Sequence, residues 1–158
     1  MTAQSPTQWP TTGLDPVQRL RAAAAGVRGA AVTERVVPAE FATVWAMLTD
    51  FEDGFTRIQP DMRDVEVAER AGDRVVLRAV SRRGLRARLV GVHRPGWCWL
   101  QSRFLVIAMA AAPEPAGGTR VALTGGVRVP RRPAIVPIGV RRESTRSLDR
   151  LERLLGPA

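Results

Sequence analysis

Two side chains in the sequence stand out as candidates for acid–base or nucleophilic chemistry. His93 is the only histidine, and its ordinary pKa near neutrality would suit a general acid or base. Cys98 is the only cysteine and lies between Trp97 and Trp99. If the "RPGW" turn at 94–97 joins two strands of a hairpin, Cys98 could lie opposite His93 as a nucleophile–base pair. The alternatives are a histidine at a surface turn and a small buried cysteine, since no orienting partner for the imidazole is evident.

The sequence gives no support for a metal or a cofactor, and we expect neither. One histidine and one cysteine are too few ligands unless carboxylates contribute, and no spacing of ligand residues supports a site. A single cysteine excludes an intramolecular disulfide and favours a reducing cytoplasm. The N-terminal residues lack a charged and then apolar leader, and the longest apolar stretch, Phe104 to Ala112, is about half of a membrane-spanning helix. We therefore expect a cytoplasmic protein.

The arginines, a third feature after His93 and Cys98, could bind a partner. The chain has a formal charge of +9, and all 24 of its Lys/Arg positions are arginine. Five of them alternate with apolar residues along two neighbouring predicted strands: Arg74, Arg78, Arg82, Arg86 and Arg88. This pattern predicts a basic stripe on a solvated sheet face, which could also bind an acidic protein or an anionic membrane surface. Aromatic residues that stack on single-stranded bases are absent from these strands, which argues against nucleic acid.

The elements that must position these residues follow an α+β order. Residues 1–13 are polar and predicted to be disordered, and Asp15 and Pro16 begin a short helix that ends at Gly26 or Gly29. Periodicity then predicts a strand at 31–37, a helix at 40–48, an irregular helical segment at 50–61, about six antiparallel strands to residue 129, and a long C-terminal helix. The residues predicted on the apolar side of that last helix are Ile138, Thr145, Leu148, Leu151 and Leu155. The predicted fold is one curved antiparallel sheet of about six to seven strands.

Three stretches carry a resemblance to a known superfamily. They are "VVPAEFATVWAMLTDFE" at 36–52, "GTRVALTGGV" at 118–127 and "SLDRLERLL" at 147–155. The chain resembles the START-like, or SRPBCC, superfamily of polyketide cyclases/dehydrases and lipid-transport proteins over about residues 30–156. The resemblance implies a helix-grip fold, in which a bent sheet wraps around the long C-terminal helix and leaves an apolar cavity open at one end. It divides the chain into an N-terminal extension, residues 1–29, and a single helix-grip domain, residues 30–156.

The resemblance implies that the chain binds a small, largely apolar ligand, lipid- or polyketide-like, between the sheet and the C-terminal helix. An apolar ligand would gain about 25 cal/mol per Å² of buried surface. The residues predicted to contact it are Phe55, Ile58, Leu77, Leu89, Ile107, Met109, Leu123, Ile138, Arg142 and Thr145. Further residues predicted to point inward are Val75, Leu105, Val121 and Leu148.

Two other functions stay open. In one, the interior is filled and the chain is an interaction module whose arginine-rich outer sheet face binds an acidic protein or an anionic surface. In the other, the chain is a polyketide cyclase/dehydrase-like enzyme that shapes a reactive chain in a dry pocket, with His93, Arg142 or Thr145 assisting. The chain has no tyrosine and one histidine, which favours a binding protein over an enzyme.

The face occupied by Trp97 and Trp99 depends on the length of the turn before them. A two-residue Pro-Gly loop would place both indoles on the face of Arg86 and Arg88, whereas a longer loop would place them in the cavity.

Overall fold

The computed structural model describes residues 13–127 and 137–156, with side chains described outside 137–140. The described elements are, in chain order, α1 (Pro16–Ala25), β1 (Thr33–Val37), α2 (Phe41–Thr49), α3 (Gly54–Ile58), β2 (Met62–Ala71), β3 (Arg74–Ser81), β4 (Arg86–Arg94), β5 (Trp97–Gln101), β6 (Leu105–Pro113), β7 (Thr119–Val127) and α4 (Pro137–Leu155). The predicted α+β class is confirmed. The predicted disorder of residues 1–13 falls almost entirely outside the described residues.

The strands form one antiparallel sheet in the order β1-β7-β6-β5-β4-β3-β2. The sheet is curved and unclosed, with β1 and β2 at its edges, and α4 packs across it as the helix-grip prediction required. Within β4, the chain comes unusually close to β5 at Gly91. A Cβ atom at Gly91 would lie 1.8 Å from the carbonyl oxygen of Trp99, so only glycine fits there without a shift of the backbone.

The inner face of the sheet holds the main core. Helices α2, α3 and α4 cover this face, and their apolar side chains meet alternate residues of the strands. The members of this cluster with no exposed surface include Val44, Leu48, Phe55, Ile58, Val75, Leu77, Leu89, Cys98, Leu100, Met109, Val121, Leu148 and Leu151. The side chains predicted to point inward from the strands all lie on this face, whereas the side chain of Ile138 is outside the described residues.

Helix α1 packs against the opposite, outer face of the sheet. Asp15 caps it by accepting a hydrogen bond from the Gln18 backbone N–H at 2.9 Å, and the Gln18 side chain accepts from the Asp15 N–H in return. The predicted start of this helix is therefore confirmed. Val17 and Leu20 are fully buried against small residues of β6 and β7: Ala108, Ala110, Ala112 and Ala122.

The turn between β4 and β5 has the tight geometry that a Pro-Gly pair favours. Arg94 pairs with Trp97, so Pro95 and Gly96 form a two-residue loop, with Gly96 at φ 74°. Trp97 and Trp99 therefore stack on the outer face, 6.3 Å apart, beside α1. This placement is the one expected for a two-residue loop, and it leaves the inner face of β5 to Cys98 and Leu100.

The predicted arginine stripe lies on the outer face beyond the area covered by α1. Arg74, Arg78, Arg86 and Arg88 are all exposed there. Three of them approach glutamates of β2, because Glu69 lies 2.9 Å from Arg74 and 3.5 Å from Arg88, and Glu66 lies 3.6 Å from Arg78. Arg82 instead donates to the Pro60 carbonyl at 2.8 Å.

Helix α4 is attached to the sheet at its C-terminal half. Arg35 of β1 lies 2.6 Å from Asp149 and 3.0 Å from Glu152, and its hydrogen bond to Asp149 is the main cause of its raised pKa. The prediction that Thr145 lies on the apolar side was wrong. Thr145 is exposed, and Ser144 and Ser147 occupy the buried positions beside Leu148 and Leu151, because 100° per residue rotates position 145 away from that face.

Within the described residues, no helix has the length and apolarity needed to cross a bilayer.

Candidate functional site

The structure brings seven of the ten predicted ligand contacts into one apolar interior. Phe55 and Ile58 project from α3, and the other five lie on the inner face of the sheet: Leu77, Leu89, Ile107, Met109 and Leu123. Arg142 and Thr145 are exposed on α4, and the Thr145 hydroxyl donates to the Arg141 carbonyl at 2.9 Å. The side chain of Ile138 is outside the described residues. The ligand contacts themselves remain a prediction.

Access to this interior changes along the sheet. At one end of the sheet lie the β3–β4 turn, the β5–β6 turn and the last residue of β7. We call this end the rim and define it as residues 82–85, 102–104 and 127. Leu77, Leu89 and Met109 have no exposed surface, whereas Ile107 is 7% exposed and Val127, paired with Leu105 on the inner face, is 56% exposed. The apolar inner surface therefore reaches solvent at the rim.

His93 lies on the inner face near the end of the sheet opposite the rim. Its ring stacks on Trp45 of α2 at 6.0 Å and meets the edge of Phe51 at 5.6 Å. The side chain is half-buried in a strand, so the alternative of a surface turn position is not what the structure shows. Both aromatic residues belong to the "VWAMLTDF" stretch, Trp45 within α2 and Phe51 just after it. The imidazole of His93 therefore packs between its own strand, β4, and this stretch.

The two nitrogens of His93 have different surroundings. Arg70 Nη1 lies 3.4 Å from Nδ1, and since the guanidinium can only donate, Nδ1 is the acceptor and Nε2 carries the proton. Nε2 is buried and has no hydrogen-bond partner among the described residues. Burial, and then the positive charge of Arg70, lower the pKa of His93 below its ordinary value. The imidazole is therefore neutral at pH 7 and presents one unpaired N–H donor.

A bulge in β2 explains why Arg70 reaches His93. Alternation from Val65 and Val67 would place Glu69 on the inner face, but the register shifts between Val67 and Glu69. Glu69 is thereby turned outward to Arg74 and Arg88, and Arg70 is turned inward, where its guanidinium also lies 5.9 Å from the Phe51 ring centre. Sequence reasoning did not single out Phe51 or Arg70, because nothing in the alternation marks the bulge.

Cys98 pairs with His93 across β4 and β5, as the hairpin predicted. Its chemistry is nevertheless that of a buried hydrophobe, because burial raises the pKa of the thiol to about 12. A thiol of this pKa is protonated at neutral pH and is a weak nucleophile. Among the described residues, no group of three or more His, Cys, Asp and Glu side chains is arranged to hold a metal ion.

A groove of about 720 Å³ lies elsewhere, between the β1–α2 turn and the last turns of α4. Its walls include Val37, Ala39 and Leu155 together with the Arg35-bound carboxylates Asp149 and Glu152. Of the predicted ligand contacts whose side chains the structure describes, none lines this groove.

Comparison with known proteins agrees with the fold described above. Residues 28–156 match the family model described as polyketide cyclase/dehydrase and lipid transport. The chain is similar to the solution structure of the KanY protein, with 19% identity, a TM-score of 0.64 and coverage of 82% of this chain and 99% of that one.

Two further solved structures are similar over most of their length. The Zhui aromatase/cyclase of a Streptomyces species has 18% identity, a TM-score of 0.59 and coverage of 79% of this chain and 92% of that one. A START superfamily protein of Mycobacterium smegmatis has 18% identity, a TM-score of 0.52 and coverage of 80% and 93%. No curated protein matches the sequence.

Proposed function

Since the chain belongs to the polyketide cyclase/dehydrase and lipid transport family, we propose that it binds a small, largely apolar molecule between the sheet and α4. Membership confirms the resemblance to the START-like superfamily, and the helix-grip fold is the one that this resemblance implied. The ligand itself is our inference from the chemistry of the interior.

One observation carries the proposal: the mostly apolar interior contains a buried donor, His93 Nε2, that has no hydrogen-bond partner among the described residues. Two buried side-chain nitrogens lack a hydrogen bond among the described residues, and one of them, Arg120 Nε, lies 3.0 Å from the Glu114 carboxylate. The other is His93 Nε2, which has no such compensation. A buried donor left unpaired costs about 1–3 kcal/mol, so an oxygen that accepts from it would bind favourably. The proposed ligand is thus an apolar molecule with a carbonyl, hydroxyl or carboxylate oxygen.

Met109 lies in the same row across the sheet as His93. Cys98 pairs with His93 on one side and with Met109 on the other, so the methionine lies two strands from the imidazole on the same face. Methionine is unbranched and adapts its shape readily. We propose that the ligand enters at the rim and that the Met109 side chain adapts beside it, so that the ligand oxygen reaches Nε2.

The first experiment is extraction of the purified protein with organic solvent, with native and denaturing mass spectra compared. A stoichiometric small molecule that is lost on denaturation is the expected result. An empty protein that also fails to take up an apolar fluorescent probe would overturn the proposal.

A matched pair of variants locates the site. Leu105→Trp adds bulk on the inner face next to the rim, and Val106→Trp adds the same bulk one residue along on the outer face. We expect the inner-face variant to lose probe or ligand uptake and the outer-face variant to keep it. Equal losses in both, at unchanged folding, would place binding elsewhere.

A cyclase- or dehydrase-like activity is the second candidate, favoured by the same N–H donor. A neutral imidazole in an apolar interior can polarise a carbonyl oxygen as it gains negative charge. The buried, protonated Cys98 thiol does not serve as the nucleophile in this scheme. If the extracted molecule is a poly-carbonyl chain that the protein converts, His93→Gln should lower turnover while leaving probe uptake in place. Unchanged turnover would exclude His93 from the reaction.

A further inference from the structure

Large apolar side chains are exposed at the rim. Five such residues are exposed among those described, and three of them lie at this one end: Leu85 at 71%, Phe104 at 49% and Val127 at 56%. The other two, Leu14 and Val36, lie elsewhere, in the residues before α1 and in β1. A concentration of exposed apolar side chains at one end marks an interaction surface.

Both hairpin tips hold their apolar residue in a fixed position. In the β3–β4 tip, Ser81 Oγ accepts from the Leu85 backbone N–H at 3.1 Å, and the Ser81 N–H donates to the Leu85 carbonyl at 2.8 Å. In the β5–β6 tip, Ser102 Oγ accepts from the N–H groups of Phe104 and Leu105 at 3.2 and 3.0 Å. The apolar side chains are therefore presented outward by ordered turns.

Arginines flank each of these tips. Arg83 and Arg86 lie on either side of Leu85 in the chain, and the guanidinium of Arg103 lies 5.5 Å from the Phe104 ring centre. Within residues 13–127 and 137–156, no carboxylate lies within 4.0 Å of these three arginines, in contrast to Arg74, Arg78 and Arg88, which approach glutamates on the outer face. The carboxylates at this end include Asp64, opposite Val80 near the start of β2, and Asp61 and Glu143 on the side of α4. Burial, and then the nearby charge of Asp61, raise the pKa of Glu143.

We propose that the rim docks on an anionic membrane surface. Leu85 and Phe104 would insert among the lipid chains, and Arg83, Arg86 and Arg103 would lie at the level of the phosphates. Separate apolar tips, each with its own arginines, fit a bilayer interface better than the flat complementary face of a protein partner. The proposal does not depend on the contents of the interior, so it can fail or hold independently of the proposed ligand binding.

Vesicle co-sedimentation with the full chain tests the proposal. Vesicles of phosphatidylcholine alone are compared with vesicles that contain phosphatidylglycerol, at low and physiological salt. We expect binding to the anionic vesicles that weakens as salt rises. Leu85→Ser with Phe104→Ser should weaken it at least about tenfold, since each change removes an apolar side chain from the bilayer. The double change Val36→Ser with Leu14→Ser is the matched control and should leave binding unchanged.

Charge variants separate the rim from the outer stripe. Arg83→Gln with Arg103→Gln should weaken binding by about fivefold for each arginine, and Arg74→Gln with Arg78→Gln should have little effect. The proposal is overturned if the wild-type chain does not prefer anionic vesicles, if the control pair weakens binding as much as the rim pair, or if only the outer-stripe variant matters. Binding to poly-glutamate without binding to vesicles would also overturn it, in favour of an acidic protein.

Discussion

Replacement of Gly91 by alanine tests whether the close approach of β4 and β5 holds the interior in shape. An alanine Cβ would lie 1.8 Å from the Trp99 carbonyl oxygen, whereas Cβ atoms essentially never come within 3.0 Å of another heavy atom, so the strands must separate by about 1.2 Å. The obstacle is backbone and cannot rotate away. Overpacking of this kind costs about 1–3 kcal/mol, and a weakened ladder hydrogen bond adds about 1 kcal/mol. We therefore expect Gly91→Ala to lower the free energy of unfolding by about 2–4 kcal/mol.

Urea unfolding followed by circular dichroism measures this loss. Gly26→Ala is the matched control, because a Cβ at Gly26 meets only the Ala23 carbonyl oxygen at 3.5 Å, which is ordinary contact, and the backbone there has a negative φ. The control should change the free energy of unfolding by less than about 0.5 kcal/mol. If Gly91→Ala were as stable as Gly26→Ala, the strands would not be held at the distance described, and the reasoning would be wrong.

Three further outcomes follow from the packing and the pKa shifts. Leu20→Ala should lower the free energy of unfolding, measured by urea denaturation, by about 2–3 kcal/mol. Leu14→Ala, which alters a half-exposed side chain, should lower it by less than about 0.5 kcal/mol. Similar values for the two variants would contradict the packing of α1 on the alanine surface. The unfolded chain protonates His93 near pH 6.5 and the folded chain only at a lower pH, so stability should fall as the pH is lowered through this window, and thermal unfolding of His93→Gln should lack that component. Cys98 should resist a thiol reagent at pH 8 in the folded protein and react once urea unfolds it, because its pKa is about 12; equally fast modification of both states would disprove its burial.

The sequence predicts the features that depend on local chemistry. Asp15 followed by Pro16 predicts the start of α1, the alternation of strands β3 and β4 predicts which residues face inward, and the Pro95-Gly96 pair predicts the tight turn. Each of these outcomes rests on a few neighbouring residues whose conformational preferences agree with one another. The α+β class follows from them, because a meander of antiparallel strands and one long helix has few ways to bury both apolar faces, whereas the helix-grip fold was implied by the family resemblance.

The site depends on features that local patterns do not encode. The bulge in β2 exchanges the faces of Glu69 and Arg70, and strict alternation predicts the opposite arrangement. The stacking of Trp45 on His93 joins residues of α2 and β4 that lie far apart in the chain. Thr145 shows a simpler limit of sequence-based prediction. The four apolar residues of α4 define the buried face only to within one position, and Ser144, not Thr145, is buried there. The ligand contacts and the division of the chain at residue 30 stay predictions.

The ion pairs of Arg35 with Asp149 and Glu152 also have a mechanical consequence. They join α4 to the edge strand in the C-terminal half of the helix, so a rotation of the helix about this point would keep both ion pairs. Pro137 lies 12 residues from Asp149, which is about 18 Å at 1.5 Å per residue. A rotation of about 10° would thus move the start of the helix by about 3 Å, and Leu155, six residues beyond Asp149, by about half as much in the opposite direction. The larger part of such a motion falls at the end of the molecule where the apolar interior meets solvent.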